Sequence, residues 1–170
     1  MIVGVDAEQQ RVRLVPSRHE EWQRRYTGMA ARMAALVPDA HLEHIGSTAV
    51  PGLPAKDVVD VLVGVDAADV VEVAHRLRAD GLDLELELEL AHHCQLSAPD
   101  RRARTVVVHV VEHGGRGWTR RLEFRDLLRR DADARERYLS VKEAAARESV
   151  GWDDYTQAKT QVVADLLAGA

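Results

Sequence analysis

The chain has 170 residues, 46% of them hydrophobic and 30% charged, with a formal net charge of −5. That length suits one domain spanning residues 1–170, the composition excludes a disordered chain, and the acidic balance argues against general nucleic-acid binding, which needs a basic face. One cysteine, Cys94, excludes a disulfide framework, no apolar run approaches the ~18 residues of a membrane span, and residues 1–10 meet Asp6 and Glu8 too early for a signal-peptide core. A soluble cytoplasmic protein with no membrane partner is the expectation.

Residues 2–5 and 12–15 are short apolar runs that either pair as a hairpin or lie across the domain. Ser17 with Glu20 reads as a capping box opening a helix. Trp22, Tyr26, Met29, Met33 and Leu36 recur on its face at steps of three and four, and Pro38 ends it. Residues 41–45 read as a strand running into a turn at Gly46-Ser47-Thr48. Residues 58–63 are apolar except for Asp60, as in a strand covered on both faces. A helix over about 67–80 follows, capped by Asp66 and closed by Gly81.

Residues 82–90 alternate strictly between leucine and carboxylate, which predicts a strand with one buried and one wet face. A loop over 91–104 and a β-branched strand over 105–111 complete an antiparallel hairpin. His92-His93-Cys94 falls in that loop and lacks a second cysteine pair. From Trp118 onward the period is helical, with Leu122, Leu127 and Leu128 on one helix and Ala134, Tyr138, Val141 and Ala145 on a second. A third starts near Trp152 and carries Tyr155, Val162, Val163 and Leu166. Trp22, Trp118 and Trp152 read as core. The class is α+β: a small mixed sheet with a helical C-terminal third.

Of 23 basic residues, 20 are arginine; only Lys56, Lys142 and Lys159 are lysine. Where coding bias replaces lysine freely, a retained lysine marks either chance or a need for a compact ammonium. Lys56 stands just before the apolar strand. A Gly-Ser step after a strand presents backbone N–H groups and a hydroxyl, both suited to phosphate. Asp60, a lone carboxylate in an apolar run, is costly to bury unless paired or bound to a cation.

The run Glu43-His44-Ile45-Gly46-Ser47-Thr48-Ala49-Val50-Pro51-Gly52-Leu53-Pro54-Ala55-Lys56, followed by Val58-Val59-Asp60-Val61-Leu62-Val63, resembles the GrpB family, also designated family 0157. The resemblance continues at His109, at Phe124-Arg125-Asp126, at Tyr138 with Lys142 and at Tyr155 with Lys159. It implies a nucleotidyltransferase fold of the polymerase-β type. In some relatives the domain is fused to a dephospho-CoA kinase. The implied activity is metal-dependent transfer of a nucleotidyl group from a nucleoside triphosphate to an acceptor. Gly46, Ser47, Thr48 and Lys56 would hold the phosphates, and Arg125 and Lys159 would reach the same pocket. Asp60 with His109 would hold Mg2+ or Mn2+, and Asp60, His109 and His44 would serve the chemistry.

Two residues after Asp60 stands Leu62, where such enzymes carry a second carboxylate, and Asp57 is an odd three residues away. Imidazole at His109 suits Zn2+ or Mn2+ better than Mg2+. Either one cation suffices, or catalytic power is lost, or the pocket does other chemistry. The alternatives are a non-catalytic module for a nucleotide or CoA-like ligand, and a metal-dependent hydrolase using His44 or His109. Two further pairs are open at this level. Arg125 either contacts phosphate or ties helix to sheet, and Tyr155 and Lys159 either touch a nucleotide or brace the helical lobe.

Overall fold

The computed structural model describes residues 12–88, 90, 92–148 and 151–170. The apolar run at 2–5 lies outside them. Strand β1 (Leu14–Val15), from the run at 12–15, pairs antiparallel with β3 (Ala55–Lys56), Leu14 opposite Lys56. Helix α1 (His19–Leu36) buries Trp22 and Met33 completely, with Tyr26, Met29 and Leu36 packed beside them, as the periodicity predicts. The capping box does not form. Arg18 takes the cap position, and no side chain caps the helix.

The main sheet has the order β2 (His41–Ile45), β4 (Val59–Val65), β7 (Val106–Glu112), β6 (His93–Ala98), β5 (Asp83–Leu88). Only the central β4–β7 pair is parallel. Register separates its two faces. Val59, Val61, Val63, Val106, Val108 and Val110 face α1 and α2 (Val70–Ala79), forming the larger core with Ala74 and Leu77. Asp60, Leu62, Val107 and His109 take the opposite face by strand alternation. Gly64 allows Trp118 to sit against the sheet: a Cβ there would lie 2.6 Å from the indole.

Two expectations fail here for local reasons. The 91–104 segment is not all loop, because β6 lies within it and pairs with both β5 and β7. Its sequence has no Val, Ile or Thr, so β-propensity was silent. The leucine–carboxylate alternation also breaks at a bulge between Leu84 and Leu86. Leu84 opposes the buried Leu96, but Leu86 and Leu88 oppose Gln95 and His93. One extra residue moves the later side chains to the other face, leaving Leu86 and Leu88 exposed. Past the bulge, Glu87 reaches His75 of α2.

The C-terminal third is helical: α3 (Arg116–Arg130), α4 (Ala132–Glu148), α5 (Trp152–Ala158) and α6 (Thr160–Ala168). The expected third helix is two, joined at Lys159. A second core of Val50, Leu53, Leu127, Leu128, Tyr138 and Leu166 fastens this lobe to the segment after β2. No helix among the described residues is long and apolar enough to cross a membrane.

Candidate functional site

A cavity of about 240 Å³ lies between the Asp60 face of the sheet and the helical lobe. The sheet side contributes Gly46, Ser47, Thr48, Lys56, Asp60, Gln95 and His109. The helices contribute Arg121, Phe124, Tyr138, Lys142, Trp152, Tyr155 and Lys159. All three lysines of the chain therefore converge on one space.

Gly46 explains why the turn needs glycine. Its φ is +72°, and a Cβ would fall 2.7 Å from Asp60 Oδ2. The bend is thus packed on the carboxylate. A short 3-10 turn over Ser47–Ala49 follows it. Burial pushes the Asp60 carboxyl upward, but His109, Lys56 and Lys159 outweigh that and hold it below the usual carboxylate range. His109 Nε2 lies 3.3 Å from Asp60 Oδ1, and His93 Nε2 lies 3.3 Å from His109 Nδ1. Burial lowers both imidazoles, His93 to about 3, so each is neutral near pH 7. A neutral His109 can donate Nε2–H to Asp60, and His93 Nε2, next to His109 Nδ1, also faces the donor Arg121 Nη2 at 3.4 Å.

Of the lysines, Lys142 is buried and Lys56 and Lys159 are half-buried. Burial, with repulsion from Lys159 and Arg104, brings Lys56 down to about 7 against the support of Asp60. Burial and the other two lysines bring Lys142 to about 7, and burial brings Lys159 to about 8. Lys142 Nζ donates to Pro54 O at 2.6 Å. Lys56 Nζ and Lys159 Nζ stand 3.3 Å and 4.1 Å from the ring centres of Trp152 and Tyr155. The Tyr155 hydroxyl is fully buried and has no hydrogen-bond partner among the described residues.

Two expected residues are placed elsewhere, and Asp57 also turns away. His44 opposes Val61 in the register, so it faces α1, where it stacks on Tyr26 and bonds Gln23 and Thr48. It cannot share a cleft with His109. Arg125 does not line the cavity; its guanidinium is held by Glu43, the His44 carbonyl and Asp126, tying α3 to the sheet. Asp57 is turned to Trp22 and Arg25 of α1. Conversely, Arg121, Gln95 and Trp152 line the cavity without having been singled out for it. Arg121 lies one helical turn before Arg125, a spacing that keeps both on one helix face.

The GrpB family model matches residues 11–168. The chain belongs to the GrpB family. It is 40% identical to a UPF0157 protein of Deinococcus radiodurans, over 88% of this chain and 77% of that one. GrpB of Enterococcus faecalis superposes with a TM-score of 0.75 at 23% identity, covering 92% of this chain and 98% of the other. A cytoplasmic RNA terminal U-transferase superposes with a TM-score of 0.55 at 16% identity, over 83% of this chain and 44% of that one. The fold is therefore of the nucleotidyltransferase type, α+β as expected.

In this GrpB chain the donor set departs from a two-metal centre. Such a centre needs carboxylates on one face of one strand, with a further ligand nearby. Leu62 takes the second position and is fully buried with Ile45, Val111 and Trp118. Asp60 is engaged by His109 and flanked by ammonium groups. Among the described residues no three His, Cys, Asp or Glu side chains converge on one point. The residues of this GrpB cavity do not fit resident Mg2+ or Mn2+ ions.

Proposed function

We propose that this GrpB chain binds a nucleotide or a related phosphorylated small molecule in the lysine cavity. The observation that carries this reading is the convergence of Lys56, Lys142 and Lys159 beside the Gly46-Ser47 bend. Holding buried ammonium groups without a partner anion is costly. A phosphate supplies the missing charge and accepts hydrogen bonds from all three. The Gly46-Ser47 bend lies at the cavity wall, where its backbone and hydroxyl groups can receive phosphate oxygens. Asp60 supports the charged state of Lys56 and Lys159 while the cavity is open.

A second reading, nucleotidyl transfer to an acceptor, draws support from the fold shared with the terminal U-transferase and from Asp60, the carboxylate that the resemblance assigns to a cation. It lacks a second carboxylate. The hydrolase reading, which asked for His44 or His109, keeps only His109 in the cavity, because His44 lies on the opposite face of the sheet.

Thermal-shift measurement against the four ribonucleoside triphosphates, AMP and CoA, with and without chelator, tests the proposal. Stabilisation by at least one of them that persists in chelator supports it. No shift with any at millimolar concentration would refute it.

A further inference from the structure

We propose that the cavity recognises the polyphosphate chain of its ligand as a metal-free anion, with the three ammonium groups standing in for divalent cations, Tyr155 Oη donating to the same chain, and the base left outside. This rests on reading the cavity as a phosphorylated-ligand site.

The charge pattern selects a polyanion. Lys56, Lys142, Lys159 and Arg121 line the cavity, and Asp60 is the one carboxylate among its lining residues. Four cations against one anion exceed what a monophosphate balances and match a chain of two or three phosphates. Nearby Glu85 does not alter the balance, since Arg104 holds it in an ion pair.

The size selects the part of the ligand that is enclosed. About 240 Å³ is below the ~300–1,000 Å³ typical of pockets that surround a drug-sized molecule. A phosphate chain fits this space, and a base and ribose do not fit beside it. The aromatic rings at the wall are also already committed. Trp152 lies under Lys56, Tyr155 under Lys159, and Phe124 is edge-on to Tyr138 with centroids 5.0 Å apart.

Tyr155 supplies the independent mark. A buried hydroxyl without a partner costs about 1–3 kcal/mol, and this one is fully buried on a residue that lines the cavity. Burial keeps the phenol protonated. It can therefore donate to a phosphate oxygen, which would satisfy it.

The test is calorimetric titration of wild type and Tyr155→Phe with inorganic triphosphate, each of the four nucleoside triphosphates and AMP, in chelator and again with Mg2+. In chelator, triphosphate and all four nucleotides should bind within about threefold of one another, and AMP about tenfold or more weaker, since each tenfold is about 1.4 kcal/mol. Tyr155→Phe should weaken triphosphate about five- to tenfold without lowering the ligand-free melting temperature. Preference for one base beyond about tenfold, AMP binding as tightly as triphosphate, unchanged affinity in Tyr155→Phe, or binding seen only with Mg2+ would each overturn this inference and leave a phosphorylated-ligand site standing. Silence from every compound would remove the site itself.

Discussion

The Lys56 ammonium stands 3.3 Å from the centre of the Trp152 ring, so a residue beside the sheet is fastened to the helix that closes the cavity. Arg104 approaches the same ring at 4.4 Å. A cation over an indole face is stabilised when water is excluded. Here that contact places an ammonium at the wall, where Asp60 is the main opposite charge acting on it. Lys142 donates to the neutral Pro54 carbonyl. The cavity is lined by all three lysines together with Asp60.

That arrangement costs stability when no ligand is present. Lys142 is almost fully buried, and methionine keeps its length and apolar stem. Lys142→Met should raise the ligand-free melting temperature by about 2–4 °C for each kcal/mol of desolvation relieved and weaken nucleotide binding at least about tenfold. Differential scanning calorimetry with and without ATP reads both effects. A variant that melts lower and binds ATP normally would show that Lys142 braces the helical lobe.

The lysines also set the pH dependence. Folded, Lys56 and Lys142 lose their protons near pH 7 and Lys159 near 8; unfolded, each holds its proton to about its ordinary 10.5. Between those values the unfolded chain binds more protons, so this contribution to stability rises with pH. The difference in melting temperature between Lys142→Met and wild type should therefore shrink from pH 6 to pH 9. Phosphate binding demands the protonated lysines and must take up protons, so affinity should fall over the same interval. Calorimetry in buffers of different ionisation enthalpy detects that uptake. Affinity that is flat from pH 6 to 9 would contradict it.

Arg121 and Arg125 separate binding from structure. Arg125 is held by Glu43, Asp126 and the buried His44 carbonyl, and Arg125→Ala should cost about 2–4 kcal/mol of stability. Arg121 lines the cavity, and Arg121→Ala should weaken triphosphate binding several-fold with a smaller thermal effect. Melting curves and titrations on both variants check this. The reverse pattern would return Arg125 to the phosphate site.

Much of this was legible in the chain, and the failures have physical causes. Asp60 stood out because charge is rare in an apolar strand, and Gly46-Ser47 because a Gly-Ser step after a strand presents N–H groups and a hydroxyl. The lysines stood out against 20 arginines. Period-3.6 and apolar-run signals located α1, β2, β4 and the helical third. What was hidden depends on register and on long-range contact. His44 and His109 each read as candidates, but their faces follow from strand pairing, which composition does not carry. The bulge after Leu84 reverses an alternation that looked perfect. Strand β6 is made of His, Cys, Gln, Leu, Ser and Ala, which declare no preference; it is a strand because neighbours on both sides pair with it. Arg121 and Arg125 share a helix face, and only the packing of α3 decides which reaches the cavity.

The most direct test of the central claim, that lysines and not a metal hold the phosphates, is isothermal titration of Asp60→Asn with ATP in chelator and in Mg2+. A metal held by Asp60 would make this variant lose binding that Mg2+ supports in wild type. The lysine account predicts that Asp60→Asn still binds ATP in chelator, at an affinity equal to or above wild type because one negative charge has left the cavity. Loss of binding by folded Asp60→Asn, together with wild-type binding that appears only with Mg2+, would contradict it.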